Sequence, residues 1–300
     1  MTDQPIAWIN GIVQPISMTA VPVWDLGVVA GASVTEMART YRHQPFRIEQ
    51  HIGRLMQSLA ALEFPRPWSA DELVQAVQVT VEQNSTLINK KHDLGIVLFS
   101  TAGSNATYLA GRSDQTTTVV HTFVLPFHLW KAGLEGGIRL RIPAIRQIPD
   151  ECFPVAYKVR NRLHWWLADQ QASMLESGSK ALLLDHNGFV TETSTSCFYV
   201  VHKGRISTSN RGVLRSLSSE IVEELAGTLE IPFERRAISI SELESADEAF
   251  LSSTPVGLLP VSRIEGRELD IERPDNVCQR LRSAWSQLTG MNSAEQILQA

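Results

Sequence analysis

At 300 residues, 43% apolar and 20% charged, the chain has the size and composition of one large or two medium globular domains with a sizeable core. A net charge of −5 with no basic run excludes an electrostatic footing for nucleic acid. Cys152, Cys197 and Cys278 form no CxxC pair, which argues against zinc or a disulfide framework. No basic-then-apolar leader opens the chain and no apolar stretch would span a bilayer, so the expectation is a soluble cytoplasmic protein with no membrane partner.

The first 125 residues read as α+β. Residues 6–9 form a short strand that Asn10-Gly11 turns into Ile12-Val13. Residues 33–41 alternate as a strand does, and residues 42–45 turn the chain back. From Glu49 the period is helical, through Ile52, Leu55, Met56, Leu59 and Leu62. A second helix is expected over 69–84, with Ser69 as N-cap and Leu73, Val74, Val77 and Val81 inward. Strands at 95–100 and 117–125 complete this domain, 1–125.

Residues 126–137 hold proline, glycine and aromatics and read as an interdomain linker. The second domain, 138–300, opens on a strand at 138–142. A helix over about 160–175 carries Leu163, Trp166, Leu167, Gln170 and Met174 along one side. Strands follow at 181–184, 189–193 and 197–201, with turns at 185–188 and at Lys203-Gly204. A helix over 218–229, strands at 234–238 and 248–252, and a helix over 274–288 close the chain.

Two residues carry the chemistry. Lys158 lies just ahead of a helical pattern, and Glu192 follows it by 192 − 158 = 34 residues at the end of a strand. An amine that condenses with an aldehyde and a carboxylate that keeps a ring nitrogen protonated are the two groups pyridoxal phosphate most needs from a protein. No histidine pair has metal-ligand spacing, and no Gly-x-Ser-x-Gly elbow suggests a hydrolase.

From about Ile6 to Pro260 the chain resembles the class IV pyridoxal-phosphate aminotransferases of fold type IV, most specifically over residues 181–192. The family includes branched-chain and D-amino-acid aminotransferases and 4-amino-4-deoxychorismate lyases. The resemblance implies a two-domain α+β fold, with a small N-terminal domain, a larger C-terminal domain built on a barrel-like core, and the cofactor between them. It implies a homodimer with amino-acid and 2-oxo-acid substrates. Lys158 would carry the cofactor and move protons at the substrate α-carbon. Glu192 would pair with the ring nitrogen. Arg54, the backbone of Leu217 and Ser218, the Ser218 hydroxyl and Thr254 would hold the phosphate. Thr35, Arg39, Pro255 and Val256 fall at substrate-side positions, where Arg39 faces either a substrate carboxylate or one in the core.

This chain departs from the family pattern in several places. Ser216 stands where glycine is usual, Ser219 where arginine is frequent, and Cys197 where asparagine is usual. An aromatic is more usual at Thr35, and the strand from Gly95 to Phe99 lacks the arginine that several relatives use for a carboxylate. Amino transfer involving an apolar L-amino acid is the expected reaction. Elimination of pyruvate by a lyase, D-amino-acid transfer and a non-catalytic homologue are the alternatives.

Overall fold

The computed structural model describes residues 4–112 and 116–299; residues 1–3, which open the segment read for a leader, lie outside them, as do 113–115 and 300. The chain divides into two compact units, Met1–Leu125 with Tyr157–Asn161, and Pro126–Ala156 with Arg162–Ala300. Among the described residues no helix is long and apolar enough to cross a membrane.

The first unit comprises β1 (Ile6–Ile9), β2 (Ile12–Pro15), α1 (Leu26–Val29), β3 (Ser33–Tyr41), β4 (Gln44–Pro45), α2 (Ile48–Ala61), α3 (Ala70–Ser85), β5 (Leu94–Thr101) and β6 (Thr118–Val124). The strands make a six-stranded antiparallel sheet ordered β2-β1-β6-β5-β3-β4. Asn10 and Gly11, at φ 48° and 87°, supply the left-handed backbone that a two-residue hairpin turn requires. Alternation along β3 sends Val34 and Ala38 into a core shared with Ile52, Leu55 and Leu59 of α2 and with Leu73 and Val77 of α3. Ser69 and Glu72 form a capping box that starts α3. Ser69→Ala is expected to lower stability by about 1 kcal/mol, measured as a shift in urea midpoint.

The second unit holds α4 (His128–Gly136), β7 (Ile138–Arg141), α5 (Leu163–Leu175), β8 (Lys180–Leu184), β9 (Val190–Thr193), β10 (Cys197–His202) and β11 (Arg205–Thr208). It continues through α6 (Leu217–Thr228), β12 (Phe233–Arg235), α7 (Ile240–Glu244), β13 (Glu248–Ser253), β14 (Gly257–Ile264), β15 (Arg267–Glu268), α8 (Val277–Thr289) and α9 (Ser293–Leu298). Its sheet runs β12-β11-β10-β13-β14-β7-β8-β9, with β15 on β14. The last strand of that path, β9, leads through residues 194–196 straight into β10, which draws the sheet round into a barrel-like curl. β8 is buried on both faces: Leu182 and Leu184 join Val190, Phe198 and Val200, while Ala181 and Leu183 pack on Trp165, Ala168 and Ala172 of α5.

Several elements differ from the sequence expectation. Residues 126–137 hold α4 rather than an open linker. α5 starts at Leu163, not near 160. The apolar side read from its periodicity, Leu163, Trp166, Leu167 and Met174, is the exposed side, and a narrower stripe of Trp165, Ala168 and Ala172 is buried instead. β14 was not expected, because Pro260 lies in its middle. It is tolerated there since β7 pairs with β14 only from Val261 onward, so no partner on that side awaits a Pro260 N–H.

Candidate active site

In the first unit, Lys158 is fixed by its backbone. Residues 158–160 run extended along the start of β3. Val159 bridges Val34, the Thr35 N–H donates to the Lys158 carbonyl at 2.8 Å, and the Arg160 N–H donates to the Ser33 carbonyl at 3.1 Å. This pairing holds the segment out of the helix that begins at Leu163. The Arg160 guanidinium lies 4.3 Å over the ring of Phe99, the β5 residue paired with Thr35. Thr35 donates its hydroxyl to the Leu98 carbonyl at 2.9 Å.

Beside this strand lies an ion cluster that the sequence reading did not identify. Glu36 is fully buried. Arg54 grips it bidentately, Nε to Oε1 at 2.7 Å and Nη2 to Oε2 at 2.7 Å, and His51 Nδ1 lies 2.9 Å from Oε2. Burial pushes the Glu36 carboxyl up, but the His51 and Arg54 hydrogen bonds outweigh it and hold the group at about 2. Burial lowers His51 against the raising effect of Glu36, and the charges of Arg54 and Lys158 lower it further. A neutral His51 therefore donates its Nδ1 hydrogen to the carboxylate. Glu36 thus takes the Nε hydrogen and one Nη2 hydrogen of Arg54. The signal in the sequence was parity: Glu36 shares the β3 face of Val34 and Ala38, and a carboxylate on a core face demands a buried cation.

Arg39 lies on the β3 face opposite Val34, Glu36 and Ala38. It is wholly buried, donates from Nε to the Thr40 carbonyl at 2.9 Å, lies 3.5 Å from Asp93 and stacks 4.0 Å over Tyr41. Of its two expected roles the structure selects the core carboxylate, so Arg39 is removed from the substrate side.

In the second unit, Glu192 is carried by the hairpin of β8 and β9. Asp185 Oδ1 accepts from the N–H groups of Asn187 and Phe189 at 2.9 Å each, and Gly188, at φ 87°, closes the turn. Leu184 pairs with Val190 and Leu182 with Thr193, so β9 has one extra residue, a bulge that re-aims the side chains around Glu192. The Glu192 carboxylate is buried, and Oε1 accepts from the Leu214 N–H at 3.1 Å. Arg162 donates to the Ser194 carbonyl; burial lowers its guanidinium and the Glu192 and Asp169 charges act in the opposite sense.

Leu214 begins the segment that opens α6. Ser216 caps that helix. Leu217 and Ser218 are buried residues at the first positions of the helix, and their N–H groups have no partner among the described residues. The Ser219 hydroxyl is also buried without one. The Ser218 hydroxyl lies within hydrogen-bond distance of Ser216 Oγ at 2.8 Å and of Ser252 Oγ at 3.0 Å, and either partner of each pair can be the donor. Thr254 is half-buried in the turn between β13 and β14, followed by half-buried Pro255 and buried Val256. Val256 also lines a cavity of about 510 Å³ with Trp285, Arg282 and Leu134, apart from Glu192, Ser218 and Thr254.

A phosphorylated aromatic group suits this donor set. Leu214 binds Glu192, and three to four residues later, no more than about 14 Å along an extended chain, α6 presents unpaired N–H groups where an anion is favoured. Among the described residues no group of three or more His, Cys, Asp or Glu side chains would hold a metal ion.

Residues 33–264 match the profile of the amino-transferase class IV family, and the chain belongs to that family. The branched-chain-amino-acid aminotransferase-like protein 2 of Arabidopsis thaliana is 28% identical over 285 residues, 95% of this chain and 50% of the plant protein. The chain thus spans about half the length of that relative. The probable branched-chain-amino-acid aminotransferase of Thermotoga maritima is 30% identical over 247 residues, 82% of each chain. Among solved structures, the branched-chain amino acid aminotransferase of Thermobaculum terrenum in its pyridoxal-phosphate form superimposes with a TM-score of 0.82 at 25% identity, covering 96% of this chain and 95% of that one.

Proposed function

We propose that the protein binds pyridoxal 5′-phosphate and transfers an amino group between an amino acid, of the apolar L class, and a 2-oxo acid. The observation that carries the reading is the Glu192–Leu214 hydrogen bond, which ties a buried carboxylate to the segment bearing the unpaired N–H groups of α6. Family membership and the similarity to branched-chain-amino-acid aminotransferases support it. When bound, the cofactor supplies an aldehyde that condenses with amines and a ring that draws electron density from the substrate α-carbon.

The chain's own residues do the rest. The Lys158 amine takes the α-hydrogen and returns it at the other end of the transfer. Glu192 holds the hydrogen on the ring nitrogen. Leu217 and Ser218, through their N–H groups, with Thr254 and Arg54, bind the phosphate and set the ring's position. Thr35, Pro255 and Val256 remain the substrate-side residues of this reading.

Glu192→Gln is expected to keep the cofactor and to lose roughly 10²–10³-fold in kcat, the size of effect seen when one preorganised charge is removed. Wild-type turnover in that variant would take Glu192 out of the mechanism. The reaction itself is tested by spectroscopy. An apolar L-amino acid alone should bleach the visible band of the loaded protein, and 2-oxoglutarate should restore it. If no donor bleaches the band and 4-amino-4-deoxychorismate releases pyruvate without an acceptor, the protein is a lyase.

The reading also takes the protein as a cytoplasmic homodimer. The exposed Leu163, Trp166, Leu167 and Met174 of α5 support a second subunit, since contiguous apolar side chains on a surface mark interaction sites. Light scattering should return twice the 33.3 kDa chain mass.

A further inference from the structure

Lys158 and Arg160 share one face of the first unit's sheet. The bridge between Val159 and Val34 is antiparallel, so Lys158 lies opposite Thr35 and Arg160 opposite Ser33. Side chains alternate along extended backbone, and directly opposite residues share a face. Val159 therefore follows Val34 to the side of α2 and α3, while Lys158 and Arg160 follow Thr35 and Ser33 to the other. β5 extends the same rows, with Phe99 paired to Thr35 and Thr101 to Ser33. The Arg160 guanidinium, 4.3 Å from the centre of the Phe99 ring, lies where this register puts it. Two positions apart on an extended segment, Lys158 and Arg160 have Cα atoms about 6.6 Å apart, close enough for one small substrate to meet both side chains.

The charges on this face do not balance. Arg39, farther along β3, has its own carboxylate in Asp93 at 3.5 Å. The Arg160 guanidinium makes no hydrogen bond or ion pair among the described residues, and no acid among them acts on it. Asp25 meets the Ser33 row through the hydroxyls of Thr101 and Thr117, at 2.9 and 2.7 Å. It also accepts from the Gly27 N–H at 2.6 Å, so its oxygens are taken. β5 puts no cation here, since its residues on this face are Gly95, Val97, Phe99 and Thr101. His121 of β6, paired with Val97, is lowered by burial and then by the Arg160 charge, which leaves it neutral at pH 7. Arg160 is itself exposed, so a solute can reach it.

We infer that Arg160 is a specificity-determining residue: its guanidinium receives a carboxylate of the substrate whose α-hydrogen Lys158 moves. A guanidinium stacked on a ring keeps its N–H fork free at the edge, and that fork matches a carboxylate. The inference rests on the pyridoxal-phosphate reading and adds a recognition element to it. The carboxylate comes either from the α-carbon, common to all substrates, or from the side chain of a dicarboxylic acid.

Steady-state kinetics with an apolar L-amino acid and two acceptors, 2-oxoglutarate and 4-methyl-2-oxopentanoate, make the test. Arg160→Met keeps an apolar contact for Phe99 and removes the charge. It should raise KM roughly tenfold, the loss of one charge-assisted hydrogen bond, and change kcat less than KM. A rise for 2-oxoglutarate alone assigns the side-chain carboxylate, and an equal rise for both acceptors assigns the α-carboxylate. Arg160→Lys should recover part of the loss, since it restores the charge without the fork. Cofactor affinity and urea midpoint should stay at wild-type values in both variants, whereas a packing role would move them. An Arg160→Met protein with wild-type KM for every substrate, or one whose KM rises only together with a loss of cofactor affinity or of urea midpoint, overturns the inference and leaves the cofactor reading standing. A wild-type protein that transfers no amino group from any donor overturns both.

Discussion

Lys158→Ala should lower turnover at least roughly ten-thousandfold, the upper end of what one positioned proton-transfer group contributes. On the proposed function, the variant loses the covalent hold on the cofactor together with the amine that carries the α-hydrogen. Its fold should survive, because what fixes the segment is main chain: the Lys158 carbonyl, the Thr35 N–H, the Arg160 N–H and the Ser33 carbonyl. Single-turnover kinetics measure the loss. Borohydride reduction of the wild-type protein and peptide mapping should place the label on residue 158. A label on any other lysine would remove Lys158 from its role.

The second large effect is on stability. Glu36→Ala should cost about 3–5 kcal/mol, because it breaks a buried ion cluster, removing the carboxylate that the buried His51 and the half-buried Arg54 share. Urea unfolding at pH 7 measures this directly, and a loss under 1 kcal/mol would show that the cluster relaxes into water. The same cluster shapes the acid limb. The Glu36 carboxyl is held at about 2 in the folded protein against 4.5 when unfolded, so the stability it contributes is complete above about 4.5 and disappears as pH falls toward 2. His51, lowered by burial, adds a second loss below its unfolded value of 6.5, where the unfolded chain takes up a proton that the folded one resists. Wild-type protein should thus lose stability more steeply than Glu36→Ala between pH 4.5 and 2.

Elements governed by local rules were legible in the sequence. The alternation over 33–41 marks β3 to the residue, and Ser69 marks the start of α3. The order of motifs points to Lys158 and Glu192, the two residues on which the proposed function rests. What was not legible depends on partners far along the chain. The helix after Lys158 starts late because β3, more than a hundred residues earlier, claims the preceding backbone. Periodicity tells which side chains of α5 share a side, but not that the small stripe of Ala168 and Ala172 lets the helix approach β8 while the larger apolar side stays outside. Pro260 hides β14, since whether a strand tolerates proline depends on where its neighbour ends. Parity puts Glu36 and Arg39, three residues apart on β3, on opposite faces, but the partners that fix each role, Arg54 with His51 for one and Asp93 for the other, lie far along the chain.

Tyr157–Asn161 belongs with the first unit although the chain on both sides belongs to the second. Recombination between family members is constrained by this. A crossover just after Leu125 would take the lysine from one parent and the strand that pairs with it from the other. The main-chain bonds at Thr35 and Ser33 would tolerate that exchange, being indifferent to side chains, but the stacking of Arg160 on Phe99 would not. Chimeras that inherit residues 157–161 from the same parent as residues 1–125 should therefore be recovered as folded protein more often than those cut at the apparent boundary alone.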